Sequence, residues 1–398
     1  MRLKLSSDPL YKNSIFIMLS SGCTAAIGFA FWTLAARLYS SEDIGISTAL
    51  ISSLSLLLVL SRVGLEHSLI RFFPEKDKSR LFSTCLLVTT GLATILGIGF
   101  LATLRIWSTS LTVIQGYSYL FLAYLAAGSM ISVTGTAFVA LRKAEKYFYQ
   151  SLFTATKVVF LFPFMFLGSI GVFSSYGISL VIAVAASILL LSRSGIRFGK
   201  IDREFLRETS HFSLGNYVGE LLIVTPNQIL PLLVLNSLGP ANAAYYYVAY
   251  IVMAILLVIP AAFSVSLFVE GSHGGLVELK ARRALRGILL LLIPAIVVMI
   301  LFGDVFLSIF GEAYSQCYDL LVIMAIASLP MSVFFVLCSI ARIRKNLMAI
   351  VSLGALLFVS IIGLSIPFAN WFGLVGIGYA WILAYTLSSS IAFIILRR

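Results

Sequence analysis

The run 217–235 is long and apolar enough to cross a bilayer, yet it carries Glu220, Asn227 and Gln228 together with Pro226 and Pro231. Asn216, Glu220 and Asn227 are separated by 4 and 7 residues. At about 100° per residue they fall within roughly 40° of one another, on one stripe of a helix. An ionised group at the bilayer centre costs at least about 2.5–3.5 kcal/mol. Such a stripe predicts a face turned to protein or to a watery cavity. Each proline removes an intrahelical hydrogen bond, and a solvated cavity or a bound cation can satisfy the freed carbonyls. The chemistry implied is a cavity lining in which a carboxylate stands beside amides able to hydrogen-bond a polar solute. The alternative is a protonated Glu220 that ties helices together.

A second stripe is made by Gln150, Thr154 and Lys157, with spacings of 4 and 3. It leads inward from the end of its run, and Lys157 lies about 10 Å along a helix from Gln150. A lysine there can meet an anion, or snorkel back to the headgroups. Arg37, near the end of the first apolar run, reads first as an interfacial anchor, as does Arg105 near the end of the third. Arg71, in "SRVGLEHSLIRFFPEKDKSR", reads first as a loop anchor, with a phosphate contact as the alternative. Tyr245, Tyr246, Tyr247 and Tyr250 open another run, where an aromatic belt accounts for them and sugar stacking is the other reading.

Nothing here spells an enzyme. There is no HExxH, and His67, His211 and His273 are far apart. "GIRFGK" (195–200) has the wrong glycine spacing for a phosphate loop and Ile201 where Ser or Thr is needed. Cys23, Cys85, Cys317 and Cys338 show no CxxC spacing, so neither a disulfide nor a metal site is expected. No cofactor is implied beyond a coupling ion.

The elements that must hold these residues follow from composition. Of 398 residues 60% are hydrophobic and 11% charged, against about 45–50% and about 25% in soluble domains. Twelve runs reach the roughly 20 residues a spanning helix needs: 13–38, 44–61, 81–104, 116–140, 150–169, 172–192, 212–237, 244–268, 287–310, 318–341, 347–367 and 374–396. None alternates like a barrel strand, so an all-α integral membrane bundle is predicted. The first run is too long for a cleavable signal.

With both termini cytoplasmic, 25 of the 28 lysines and arginines fall in inner segments; the others are Arg37, Arg105 and Lys157. That bias places the chain in a cell membrane as a multi-pass protein. It also explains the net charge of +12 without nucleic acid, through contact with anionic membrane lipids. "ARLYSSEDIG" (36–45) and "NSLGPANAAY" (236–245), then "LRKAEK" (141–146) and "ARIRKN" (341–346), are both 200 residues apart. Six spans per half give a parallel repeat, with lobes at 1–192 and 212–398 and a charged cytoplasmic linker at 193–211.

Several stretches resemble the polysaccharide biosynthesis and export family, the O-antigen-type lipid-linked oligosaccharide flippases. They are "FWTLAARLYSSEDIGISTAL", "VGLEHSLIRFFP", "FVALRKAEKYFYQS", "SIFGEAYSQCYDLL" and "WFGLVGIGYAWILAYT". Multidrug exporters and lipid II flippases of the same superfamily share the twelve-helix core. The resemblance implies a V-shaped pair of six-helix lobes around a central cavity lined by the first, second, seventh and eighth spans. It implies transport, by alternating access, of an isoprenoid-pyrophosphate-linked oligosaccharide to the outer leaflet. Lys157, with Arg37 and Arg71, would meet the pyrophosphate; Asn216, Asn227 and Gln228 would line the site; Glu220 would take a coupling H⁺ or Na⁺. Polysaccharide polymerase and glycosyltransferases are the protein partners such a role implies. The rival reading is a cation-coupled multidrug exporter.

Overall fold

The computed structural model describes residues 9–74, 76–272 and 276–397. Arg2, Lys4 and His273 lie outside them, as do the side chains of Lys12, His211 and Asn216. No strand occurs among the described residues. The chain divides into two compact units, Met1–Tyr217 and Val218–Arg398.

Unit 1 contains α1 (Pro9–Leu38), α2 (Ser41–Arg62), α3 (Leu65–Phe72), α4 (Lys78–Ala102), α5 (Leu104–Trp107), α6 (Ser118–Ala140), α7 (Ala144–Phe153), α8 (Thr156–Phe160) and α9 (Gly168–Ser192). Its last helix, α10 (Arg203–Leu238), runs on into unit 2. There follow α11 (Pro240–Ser272), α12 (Val277–Ser308), α13 (Tyr318–Ile343), α14 (Leu347–Phe372) and α15 (Leu374–Arg397). Helix ends follow local chemistry. Ser40 accepts from the Asp43 amide ahead of α2, and Asp77 from the Arg80 amide ahead of α4. Val63 and Gly64 both adopt left-handed backbone between α2 and α3, which stops one helix and starts the next at a new angle.

Among the described residues eleven helices are long and apolar enough to cross a membrane, where twelve apolar runs predict twelve. The missing one is 150–169. Its hydropathy suffices, but the backbone breaks. Thr154 donates its hydroxyl to the Ser151 carbonyl at 2.6 Å, and the amides of Ala155 and Val158 bond three residues back. Pro163 then lacks an amide to offer, and Gly168 turns at φ 55. The predicted linker 193–211 also differs. Residues 196–202 lie along the start of α4, with the amides of Arg197, Gly199 and Asp202 donating to Ser79, Ser83 and Thr84. From Arg203 the chain is already helical.

The repeat is visible inside each unit. α6 starts at Ser118 and α13 at Tyr318; α1 ends at Leu38 and α10 at Leu238. Each unit also has one unusually tight corner. A Cβ on Gly171 would sit 2.1 Å from the Phe164 carbonyl oxygen, and one on Gly376 1.9 Å from that of Phe368. Only glycine lets a helix start against the preceding chain that closely.

Large apolar side chains such as Ile106, Phe166 and Trp371 point outward, more than two-thirds exposed, as a lipid-facing surface requires. The aromatic belt expected of Tyr246 and Tyr250 is not found. Tyr246 is 1% exposed and stacks with Tyr250, which meets the Trp381 ring edge-on at 5.9 Å. Tyr246 is thus core of unit 2, and Tyr250 is half-buried beside it.

Candidate functional site

In unit 1 the broken fifth segment carries the polar stripe. α7 is tied to α1 at its first turn, where the Ala144 amide donates to Asn13 Oδ1 at 3.1 Å. Two turns on, the Ser20 and Ser151 hydroxyls are 2.5 Å apart. Gln150 is buried and donates through Nε2 to the Ile131 carbonyl and to Thr134 Oγ1 on α6. Gly135 makes that possible, since a Cβ there would crowd Gln150 Oε1 and the Tyr147 ring at 3.0 Å. Gln150 Oε1 itself is sealed from solvent with no partner.

Lys157 lies in α8, just past the break, and is 8% exposed. Its ammonium stands 5.2 Å from the Phe31 ring of α1 and 5.6 Å from the Tyr176 ring of α9. It has no ion pair or hydrogen bond among the described residues. Two desolvated cation–π contacts return about 2 kcal/mol each at best. A buried ammonium also wants hydrogen-bond acceptors, which rings do not supply. Snorkelling, the other expectation for Lys157, does not describe it, since the side chain is buried between α1 and α9.

Arg37 and Arg71 are not part of that arrangement. Arg37 is exposed in the last turn of α1, and Arg71 is exposed on α3, 5.5 Å from the Phe72 ring. Neither contacts Lys157. A second polar cluster, which the sequence reading passed over, joins α2, α3 and α6. Glu66 pairs with Arg62 at 3.4 Å and accepts from the Ser132 hydroxyl. Nearby, Thr90, Ser129 and Thr89 form a hydroxyl chain at 3.3 Å steps. The signal was available in part: Ser129 and Ser132 are one turn apart on a largely apolar helix. Glu66 looked like one loop charge among many.

In unit 2, α10 stays continuous through Pro226 and Pro231. It packs on α14 through Gly219, against Ile350, and through Leu222 and Ile223, against Gly354. Glu220 lies off that contact and is exposed. Asn227 is half-buried with its Oδ1 sealed and unpartnered, and Gln228 is half-buried. Thr225 is buried with its hydroxyl unpartnered as well. Ile223 also borders a cavity of about 250 Å³ shared with Ser264, Phe334, Ser339 and Arg342 of α11 and α13. Among the described residues, Asn227 on α10 therefore has unfilled bonding capacity. Among the described residues no group of three or more His, Cys, Asp or Glu could hold a metal.

No known family profile matches the sequence, and no curated protein does. Solved structures do match in fold. A multidrug resistance MATE family transporter of the MOP superfamily, inward-facing, superposes with TM-score 0.71 at 14% identity, over 97% of this chain and 94% of that one. Lipid II flippase MurJ, in an inward closed conformation, gives 0.74 at 14% identity, over 97% and 87%. A MOP superfamily transporter from Pyrococcus furiosus gives 0.65 at 13%, over 99% and 96%. The chain thus has the two-lobe, all-helical fold that these membrane proteins share.

Proposed function

We propose that the chain is a flippase that moves an isoprenoid-pyrophosphate-linked oligosaccharide from the cytoplasmic to the outer leaflet, for assembly of a surface polysaccharide. The observation that carries this reading is Lys157: a buried ammonium, framed by Phe31 and Tyr176, with no anion to meet it among the described residues. A pyrophosphate headgroup supplies the missing charge. Gln150 Oε1, buried and unpartnered about one turn before the break, adds an acceptor for a sugar hydroxyl. A headgroup of this kind cannot cross hydrocarbon alone, because its polar atoms would lose water without replacement. A polar path inside the protein replaces those contacts while the isoprenoid stays in lipid.

With the interior negative, export of each unneutralised negative charge gains roughly 2.3 kcal/mol per 100 mV. Neither ATP nor a cofactor is needed in this scheme. Glu220 takes a coupling H⁺ or Na⁺, and Asn216, Asn227 and Gln228 hydrogen-bond the sugar as the two lobes alternate in access. Arg37 and Arg71 act at the two interfaces. Both termini are cytoplasmic, and polymerase and glycosyltransferases are the neighbours that use and supply the substrate.

The fold match to a multidrug transporter favours a second reading, a cation-coupled drug exporter. The two separate on charge: a buried lysine repels a cationic drug and attracts a pyrophosphate. The test is a reconstituted leaflet-translocation assay with lipid-linked oligosaccharides, run with and without Na⁺ and pH gradients. Translocation that Lys157→Met abolishes is the expected result. Resistance to cationic dyes, with no translocation of the glycolipid, would establish the exporter instead.

A further inference from the structure

The repeat places the same groove in both units, and among the described residues the chain covers it in one of them. In unit 1, Phe82 and Cys85 of α4 with Val133 and Ala137 of α6 form part of one buried cluster, closed by Ile196 and Phe205 from the segment after α9. That segment is fastened down by the amide bonds to Ser79, Ser83 and Thr84. Two hundred residues on, the same positions are Arg282 and Leu285 of α12 with Val333 and Leu337 of α13. There they line a cleft of about 330 Å³, with Phe393 of α15 beside it. That is within the roughly 300–1,000 Å³ of small-molecule sites.

The cleft is polar at one end and apolar along its length. Glu278 and Arg282 come from the first turns of α12, and Arg344 from just past the end of α13, so the three share one mouth. Arg344 pairs with Glu278 at 3.0 Å. Arg282 is exposed and has no ion pair among the described residues. The rest of the lining is Leu285, Val333, Val336, Leu337 and their apolar neighbours. A small anion would satisfy the mouth and leave the apolar length empty. A neutral chain would fill the length and leave a net positive mouth. An amphiphile with an anionic head satisfies both, and basic pockets between spans at their arginine-rich ends favour such heads.

We propose that this cleft binds one acyl chain of an anionic glycerophospholipid from the surrounding bilayer, with its phosphate on Arg282 and Arg344. The lipid takes in unit 2 the place that Ile196 and Phe205 take in unit 1. The site is separate from Lys157 and holds a resident lipid, whatever the chain transports.

The test is native mass spectrometry of the purified full chain titrated with phosphatidylglycerol and, separately, phosphatidylcholine. Phosphatidylglycerol should bind about tenfold more tightly, as expected for charge-assisted hydrogen bonds at the mouth. Arg282→Gln, which breaks no ion pair, should remove most of that preference, and Arg282→Gln with Arg344→Gln all of it. Arg283→Gln, on the same turn but outside the cleft, should leave it intact. Glycerol 3-phosphate, which has the head without the chain, should not compete. An equal loss in Arg283→Gln would mean diffuse attraction to the basic face and would overturn the site. So would an unchanged preference in the double variant, or competition by glycerol 3-phosphate at matched concentration.

Discussion

The fifth and eleventh spans occupy the same place in the two units and are built differently. Both follow a left-handed residue, Arg142 at φ 57 and Lys345 at φ 52. Both end on proline, phenylalanine and then a glycine of positive φ: Pro163, Phe164 and Gly168 in one, Pro367, Phe368 and Gly373 in the other. Between those shared ends, α14 runs unbroken for 26 residues, while its counterpart is interrupted after α7 and again after α8. The prolines place Ile361 opposite Lys157, and Ile361 is fully buried. The unit that keeps its helix intact has an apolar residue at that level, and the unit that breaks it holds a cation. Broken spans free backbone groups that must be satisfied by protein or by a water-filled cavity, so a break is a cost that function explains better than packing does.

The largest effects should come from exchanging those two residues. Ile361→Lys puts a charge into a buried position of an unbroken helix. It should destabilise unit 2 by at least about 2.5–3.5 kcal/mol, seen as loss of monodisperse protein after extraction. Lys157→Met should do the reverse: fold normally and lose translocation by about tenfold or more, the scale of one charge-assisted hydrogen bond. If Lys157→Met lowers thermal stability instead and leaves transport intact, Lys157 is a packing residue and the contrast between the spans is structural alone. Where the spans agree, variants should agree too. Gly171→Ala and Gly376→Ala each force a Cβ against a backbone carbonyl. Overpacking of this kind costs about 1–3 kcal/mol, and the two melting temperatures should fall by similar amounts. A large inequality would show that the corners are not equivalent.

How much of this the sequence disclosed depended on whether the controlling force was hydropathy. Among the described residues, eleven of the runs read as spans are helices long and apolar enough to cross a membrane, and lipid accepts little else of that length and polarity. Hydropathy could not register the break at 154–163, which comes from hydrogen bonding: a threonine hydroxyl capturing a carbonyl, then a proline. Thr154, Thr156 and Pro163 were visible in the sequence, but such residues are tolerated in intact spans, as Pro226 and Pro231 are in α10. Lys157 was legible because a charge among apolar residues stands out. Its aromatic frame was not, because Phe31 and Tyr176 are far from it in sequence and ordinary in type. Tyr246 and Tyr250 misled for the opposite reason. Their position at a span end suggested an interface, while Tyr250 meets Trp381, more than a hundred residues on, and Tyr246 stacks on Tyr250 in the interior of unit 2.

The smallest effects should lie at the first turns, where each span uses an asparagine in a different way. Asn346 caps its own helix, accepting from the Ala349 amide at 3.0 Å. In α7 the residue at that position, Lys143, makes no side-chain cap, and the cap comes from α1 through Asn13. Loss of a cap costs about 0.5–2 kcal/mol in either setting. The consequences should nevertheless diverge. Asn346→Ala frays the start of a helix that packing holds along its whole length, so stability falls slightly and transport does not change. Asn13→Ala loosens α7 from α1, and α1 carries Phe31, one wall around Lys157. Transport should therefore drop several-fold while stability falls by the same small amount as in Asn346→Ala. Equal transport in the two variants would mean that α7 is held on α1 by the Ser20–Ser151 contact and side-chain packing, and that the broken span needs no cap from its neighbour to keep its lysine in place.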